Sequence, residues 1–100
     1  MNKVLLRGRI VKDFEVIAGK VPYAKFTLAN NVRKDKTYFF NCIAFDKLGE
    51  TMSIYCKKGQ EILLEGELTE NSVKGVTYYN IIVKNFEFIG TTKKTEKEEN

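Results

Sequence analysis

Between Thr37 and Phe45 the chain reads Thr-Tyr-Phe-Phe-Asn-Cys-Ile-Ala-Phe. In an extended strand, side chains alternate between two faces, so Phe39, Asn41, Ile43 and Phe45 share one face, and Tyr38, Phe40, Cys42 and Ala44 share the other. Phe40, Cys42 and Ala44 suit the interior of a small barrel, which leaves the first set for an interface or a ligand. At about 3.3 Å per residue, Phe39 and Phe45 stand roughly 20 Å apart, enough for distinct stacking positions. Cations bracket the segment, with Arg33, Lys34 and Lys36 before it and Lys47 after it. Rings interleaved with cations are what a single nucleic-acid strand needs: the bases stack and the phosphates are neutralised. Asn41 adds a polar contact between the two rings. Lys74, at the tip of a later loop, extends the basic track. Tyr78 and Tyr79 face opposite ways; Tyr78 is expected outside as a further platform and Tyr79 inside.

The elements that must hold these residues are mostly strands. Lys3 to Val11 is aliphatic and β-branched, with Gly8 at a point where a strand could bulge or bend. Ile17-Ala18-Gly19-Lys20 reads as a turn, and Pro22 with Tyr23 leads into a strict alternation through Asn30. That alternation sets Ala24, Phe26 and Leu28 against Lys25, Thr27 and Ala29. Asn31 to Lys36 reads as a polar, basic loop before the strand Thr37 to Phe45. Asp46 to Lys58 is the helical candidate: Asp46 as N-cap, Leu48, Met52 and Tyr55 as the packing stripe, and Gly59 at the C′ position. Glu61 to Glu70 alternates again, with Ile62, Leu64, Gly66 and Leu68 inward. Asn71 to Gly75 reads as a loop, Thr77 to Phe88 as a long last strand, and 91–100 as a disordered charged tail after a domain covering 1–90. A single helix between the third and fourth of five strands matches the OB-fold, an all-β five-stranded Greek-key barrel.

Composition narrows the function classes. The 100 residues allow one domain with a modest core. The net charge is +4, and the final ten residues carry three lysines and three glutamates, so the excess lies in 1–90 and suits a polyanionic partner. Apolar runs are too short to span a bilayer, and Arg7 interrupts any leader-like segment, so the expected setting is a cytoplasm, with no membrane partner. Cys42 and Cys56 lack metal-ligand spacing and read as buried thiols in a reducing compartment, with a single disulfide as the alternative. With no histidine, no Gly-rich phosphate loop and no nucleophile beside a base, neither catalysis nor a metal or cofactor is expected.

Five collinear motifs carry a family resemblance: Met1-Asn2-Lys3-Val4-Leu5-Leu6-Arg7-Gly8-Arg9, Ala24-Lys25-Phe26-Thr27-Leu28-Ala29, Phe40-Asn41-Cys42-Ile43-Ala44-Phe45, Tyr55-Cys56-Lys57-Lys58-Gly59 and Leu64-Glu65-Gly66-Glu67-Leu68. Together they resemble the single-stranded-DNA-binding proteins of bacteria and phages over about residues 1–89. The resemblance implies sequence-tolerant binding of single-stranded DNA in replication, recombination and repair, and a homotetramer, with a dimer as the smaller option. It aligns stacking aromatics with Phe39 and Phe45 and backbone-contacting lysines with Lys3, Lys47 and Lys58. Arg9, in the first motif, is placed with them in the binding surface, and Asn41 replaces a family arginine.

The chain also departs from the family pattern. It has no tryptophan, where bacterial members often stack bases on tryptophans in two loops; Arg33, Lys34 and Val73 fall in those regions. Lys97-Glu98-Glu99-Asn100 lacks the Pro-Phe ending through which such proteins recruit replication and recombination partners. A compact phage-type member would have this form. The competing functions are a protein-binding or replication-restart OB module and a nonspecific RNA chaperone, since stacking alone does not tell DNA from RNA.

Overall fold

The computed structural model describes residues 1–89, so the expected tail at 91–100 lies outside the described residues. The elements run β1 (Val4–Ile10), β2 (Glu15–Ile17), β3 (Tyr23–Arg33), β4 (Lys36–Phe45), α1 (Asp46–Tyr55), β5 (Glu61–Val73) and β6 (Val76–Phe88). Five of the strands close a barrel. Its order is β1-β5-β6-β4-β3, and β3 returns to β1 through Arg9↔Ala29 and Ile10↔Leu28. The β4–β6 pair is parallel, at Cys42↔Ile81 and Ile43↔Ile82, and the other pairs are antiparallel. This is the OB-fold, with β2 added along β3 at Glu15↔Lys25.

Strict alternation decides which side chains fill the barrel. Ala24, Phe26 and Leu28 of β3 are buried with Cys42 and Ala44 of β4, and Ile10, Ile62, Leu64, Ile81 and Val83 complete the interior. Met52 of α1 and Cys56 after it close one end. Gly8 lets β1 pass from β5 to β3: a Cβ there would lie 2.4 Å from the Ala29 carbonyl oxygen.

Several elements differ from the sequence reading. The expected loop 31–36 is mostly strand, with only Lys34 and Asp35 turning, and the expected loop 71–75 shrinks to Lys74 and Gly75. Both hairpins extend beyond the barrel, where cross-strand backbone bonds hold a ribbon that buries no core face, so polar composition does not forbid it. In the β5–β6 ribbon Leu68 and Tyr79, both expected inward, are exposed. Ile17 ends β2 rather than opening a turn.

The helix stops at Tyr55 rather than Lys58, and the Cys56 N–H donates to the Met52 carbonyl. Gly59, with φ +97, is therefore not its C′ residue; it turns the chain so that its N–H donates to the Ile10 carbonyl at 2.7 Å. Nor does the Asp46 side chain cap the helix. Phe45 holds the cap position without a side-chain bond, and Asp46, at φ 54, donates its N–H to the Pro22 carbonyl at 2.9 Å. A strand running straight into a helix needs that sharp turn, and aspartate tolerates it better than most residues. The buried face of α1 is Gly49 and Met52, because Gly49 lies against the Ala44 carbonyl; Leu48 is half-buried and Tyr55 exposed.

Candidate nucleic-acid interface

The outward face of β4 carries Phe39, Asn41, Ile43 and Phe45, as alternation requires. Phe39 is 65% exposed and Phe45 38%. Antiparallel pairing sets Tyr23 beside Phe45, Lys25 beside Ile43, Thr27 beside Asn41 and Ala29 beside Phe39. On the other flank, parallel pairing sets Ile82 beside Ile43, so Asn80 and Tyr78 follow on the same face. Tyr78 is 52% exposed. Residues from five strands, β2 to β6, and the segment before β2 thus line one groove of about 360 Å³, which reaches down to buried Phe26 and Cys42. Burial pushes the Cys42 thiol up to about 12 and that of Cys56 to about 11. Both are free, protonated and chemically quiet near neutrality.

The cations expected at the site fall into two groups. Lys34, Lys47, Lys58 and Lys74 make no ion pair or side-chain hydrogen bond among the described residues; all four are exposed, at a hairpin turn, the first turn of α1, the turn after it and the tip of the β5–β6 ribbon. The others are engaged. Lys3 pairs with Glu65 at 2.9 Å, Arg33 with Asp35 at 3.8 Å, and the Arg9 guanidinium donates to the Gly59 carbonyl at 2.6 Å. Lys36 lies 5.6 Å from the Tyr38 ring centroid, on the opposite side of β4 from Phe39. Exposed pairs of this kind are worth little, so they yield readily to a phosphate.

Phe39, Asn41, Phe45 and Tyr78 are therefore brought onto one face. Lys47 joins its Phe45 end, lining with Tyr23 a second hollow of about 390 Å³ against α1. Lys3 stands against β5 instead, away from that face. Sequence reasoning missed Lys12, Lys25, Asn71 and Asn80, which line the groove. The alternation of β3 did mark Lys25 as outward, but no local signal joins it to Asn71 and Asn80.

The sequence model of the Single-strand binding protein family matches residues 1–89. A single-stranded DNA-binding protein of Clostridium perfringens is 40% identical over 99 residues, covering 89% of this chain and 66% of its own. One from Fusobacterium nucleatum is 33% identical over 88% of this chain and 66% of its own. One from Onion yellows phytoplasma is 33% identical over 89% of this chain and 94% of its own. The chain thus spans just under two thirds of the first two relatives and nearly all of the third. With every described residue inside the family match, the chain belongs to the single-strand binding protein family.

Proposed function

We propose that the chain binds single-stranded DNA with little sequence preference, protecting it in replication, recombination and repair. The observation that carries this reading is the exposure of Phe39, Phe45 and Tyr78 on one outward face, while Cys42 and Ala44 on the other face of β4 are buried in the core. Bases stack on those rings, at about 1–3 kcal/mol per base. Lys34, Lys47, Lys58 and Lys74 meet phosphates at once; Lys3, Arg9, Arg33 and Lys36 do so after exchanging a weak internal partner. Membership of the family and the names of the relatives support the same ligand. Affinities for oligo-dT, oligo-U and duplex DNA of equal length at fixed salt test it. Oligo-dT should bind tightest and duplex weakest. Equal affinity for oligo-U would make it a general single-strand binder, and no affinity for either strand would leave a protein-binding OB module.

The same reading includes a homo-oligomer, a tetramer by family resemblance, in a cytoplasm. β1 pairs with β3 only at Arg9 and Ile10, so the edge of Val4–Leu6 that faces away from β5 has no strand partner among the described residues, and Leu5 beside it is 66% exposed. An open edge with an apolar side chain is suited to pairing with a second copy. Light scattering on the eluting protein measures the assembly directly.

A further inference from the structure

The groove differs from the rest of the surface in its amides. Outside it, each described asparagine side chain is held by the protein. Asn2 bonds both backbone groups of Leu68, Asn30 donates to the Arg7 carbonyl, Asn31 accepts from Thr37, and Asn85 accepts from the Phe86 N–H. Inside it, Asn41, Asn71 and Asn80 make no side-chain hydrogen bond among the described residues. They come from β4, β5 and β6, so three strands deliver three unused amides to one hollow. Register puts Asn71 directly opposite Tyr78, and Thr69, one step along, opposite Asn80. An exposed amide can always be solvated by water, but no local sequence rule gathers three of them beside an exposed ring.

We infer that the groove is a base-edge subsite, in which Asn41, Asn71 and Asn80 hydrogen-bond the edge of a nucleobase stacked on Tyr78. The ligand chemistry follows from the donor and acceptor of the amide. An asparagine offers an N–H and a C=O side by side and can turn to present them in either order. It therefore matches thymine N3–H with O4, cytosine N4–H with N3, and adenine N6–H with N7 or N1. Three such groups give hydrogen bonds to most bases without demanding one, which suits a sequence-tolerant binder better than a fixed cation would. At about 360 Å³ the hollow is near the lower end of small-ligand sites, which run from about 300 Å³.

This inference rests on the proposed single-strand binding, and the test separates the two. Two oligomers serve as probes: oligo-dT, and the same length built with 2,4-difluorotoluene, which keeps the shape and stacking surface of thymine but lacks its hydrogen-bonding groups. The variants are Asn71→Ala, at an exposed position, and Asn80→Leu, which keeps the size of a half-buried side chain. Each should lose about two- to tenfold in affinity for oligo-dT, the worth of a net hydrogen bond, and nothing on the analogue. Equal loss on both oligomers, or no loss on oligo-dT, overturns the base-edge subsite while leaving single-strand binding intact. Failure of the unaltered protein to bind either oligomer overturns the proposed function itself. Should Asn80→Leu fail to fold, Asn71→Ala still decides, because its side chain holds nothing in the protein.

Discussion

Tyr23 and Phe45 face each other across the β3–β4 pair, their ring centroids 5.7 Å apart and tilted by 53°. Phe39, at the other end of the same face, has Ala29 opposite it and no ring partner among the described residues. The two expected stacking positions are therefore unequal. One is a braced ring with one edge free; the other stands open.

Phe39→Ala should weaken oligo-dT binding by about 1–3 kcal/mol and leave the melting temperature nearly unchanged. Phe45→Ala should weaken binding and also cost about 0.5–1.5 kcal/mol of stability through loss of its aromatic pair. Fluorescence anisotropy and thermal melts of both variants check this. A Phe39→Ala protein that melts much earlier yet binds normally when folded would show that the ring belongs to the packing.

Salt dependence should separate the free cations from the engaged ones. For single strands the slope of log K against log salt is about −0.7 per phosphate neutralised, so Lys34, Lys47, Lys58 and Lys74 alone predict roughly −3 per chain. Lys47→Ala should flatten the slope by about 0.7 and weaken all sequences alike. Lys3→Ala should change it less, since its Glu65 partner competes and its position lies off the aromatic face. A slope near zero would mean that the charge serves only the surface.

Gly8→Ala should destabilise the domain by at least about 1–3 kcal/mol, because the new Cβ meets backbone oxygen at 2.4 Å and neither strand can move without opening the barrel closure. Gly19→Ala is the control: nothing lies within 4 Å of a Cβ there, and its melting temperature should hold. Chemical denaturation of the two variants gives the comparison.

The thiols supply a pH prediction. Both folded-state values are raised from 9.0, to about 12 for Cys42 and about 11 for Cys56, mainly by burial. Below pH 9 both states hold the protons and the thiols contribute no pH dependence. Above pH 9 the unfolded chain releases them first, so stability falls as pH rises toward 11–12. A disulfide reagent at pH 8 should accordingly leave the native protein unmodified and label both cysteines in denaturant. Fast labelling of the native protein would show that the barrel opens around Cys42 or Cys56.

What the amino-acid order determined by itself is local. Period-two alternation in 23–30 and 37–45 assigns each side chain to a face without reference to any other strand, and so separates Phe39, Asn41 and Phe45 from Phe40, Cys42 and Ala44. The single helix between strands identified the barrel for a similar reason, since few closed sheets place a helix there. Where local patterning met no core, it misled. Residues 31–36 and 71–75 are polar because their ribbons bury nothing, and only cross-strand hydrogen bonding makes most of them strand. Tyr79 and Leu68 looked like core for the converse reason: their spacing continues the barrel pattern beyond the point where the barrel ends. Asn41 and Tyr78 of the groove were legible as outward residues, but the gathering of three amides there lay outside the reach of the sequence. Asn41 meets Asn71 and Asn80 only because β4 and β6 pair in parallel while β5 and β6 fold back as a ribbon. The shared placement of residues so far apart in sequence is set by strand order and register, which no single segment encodes.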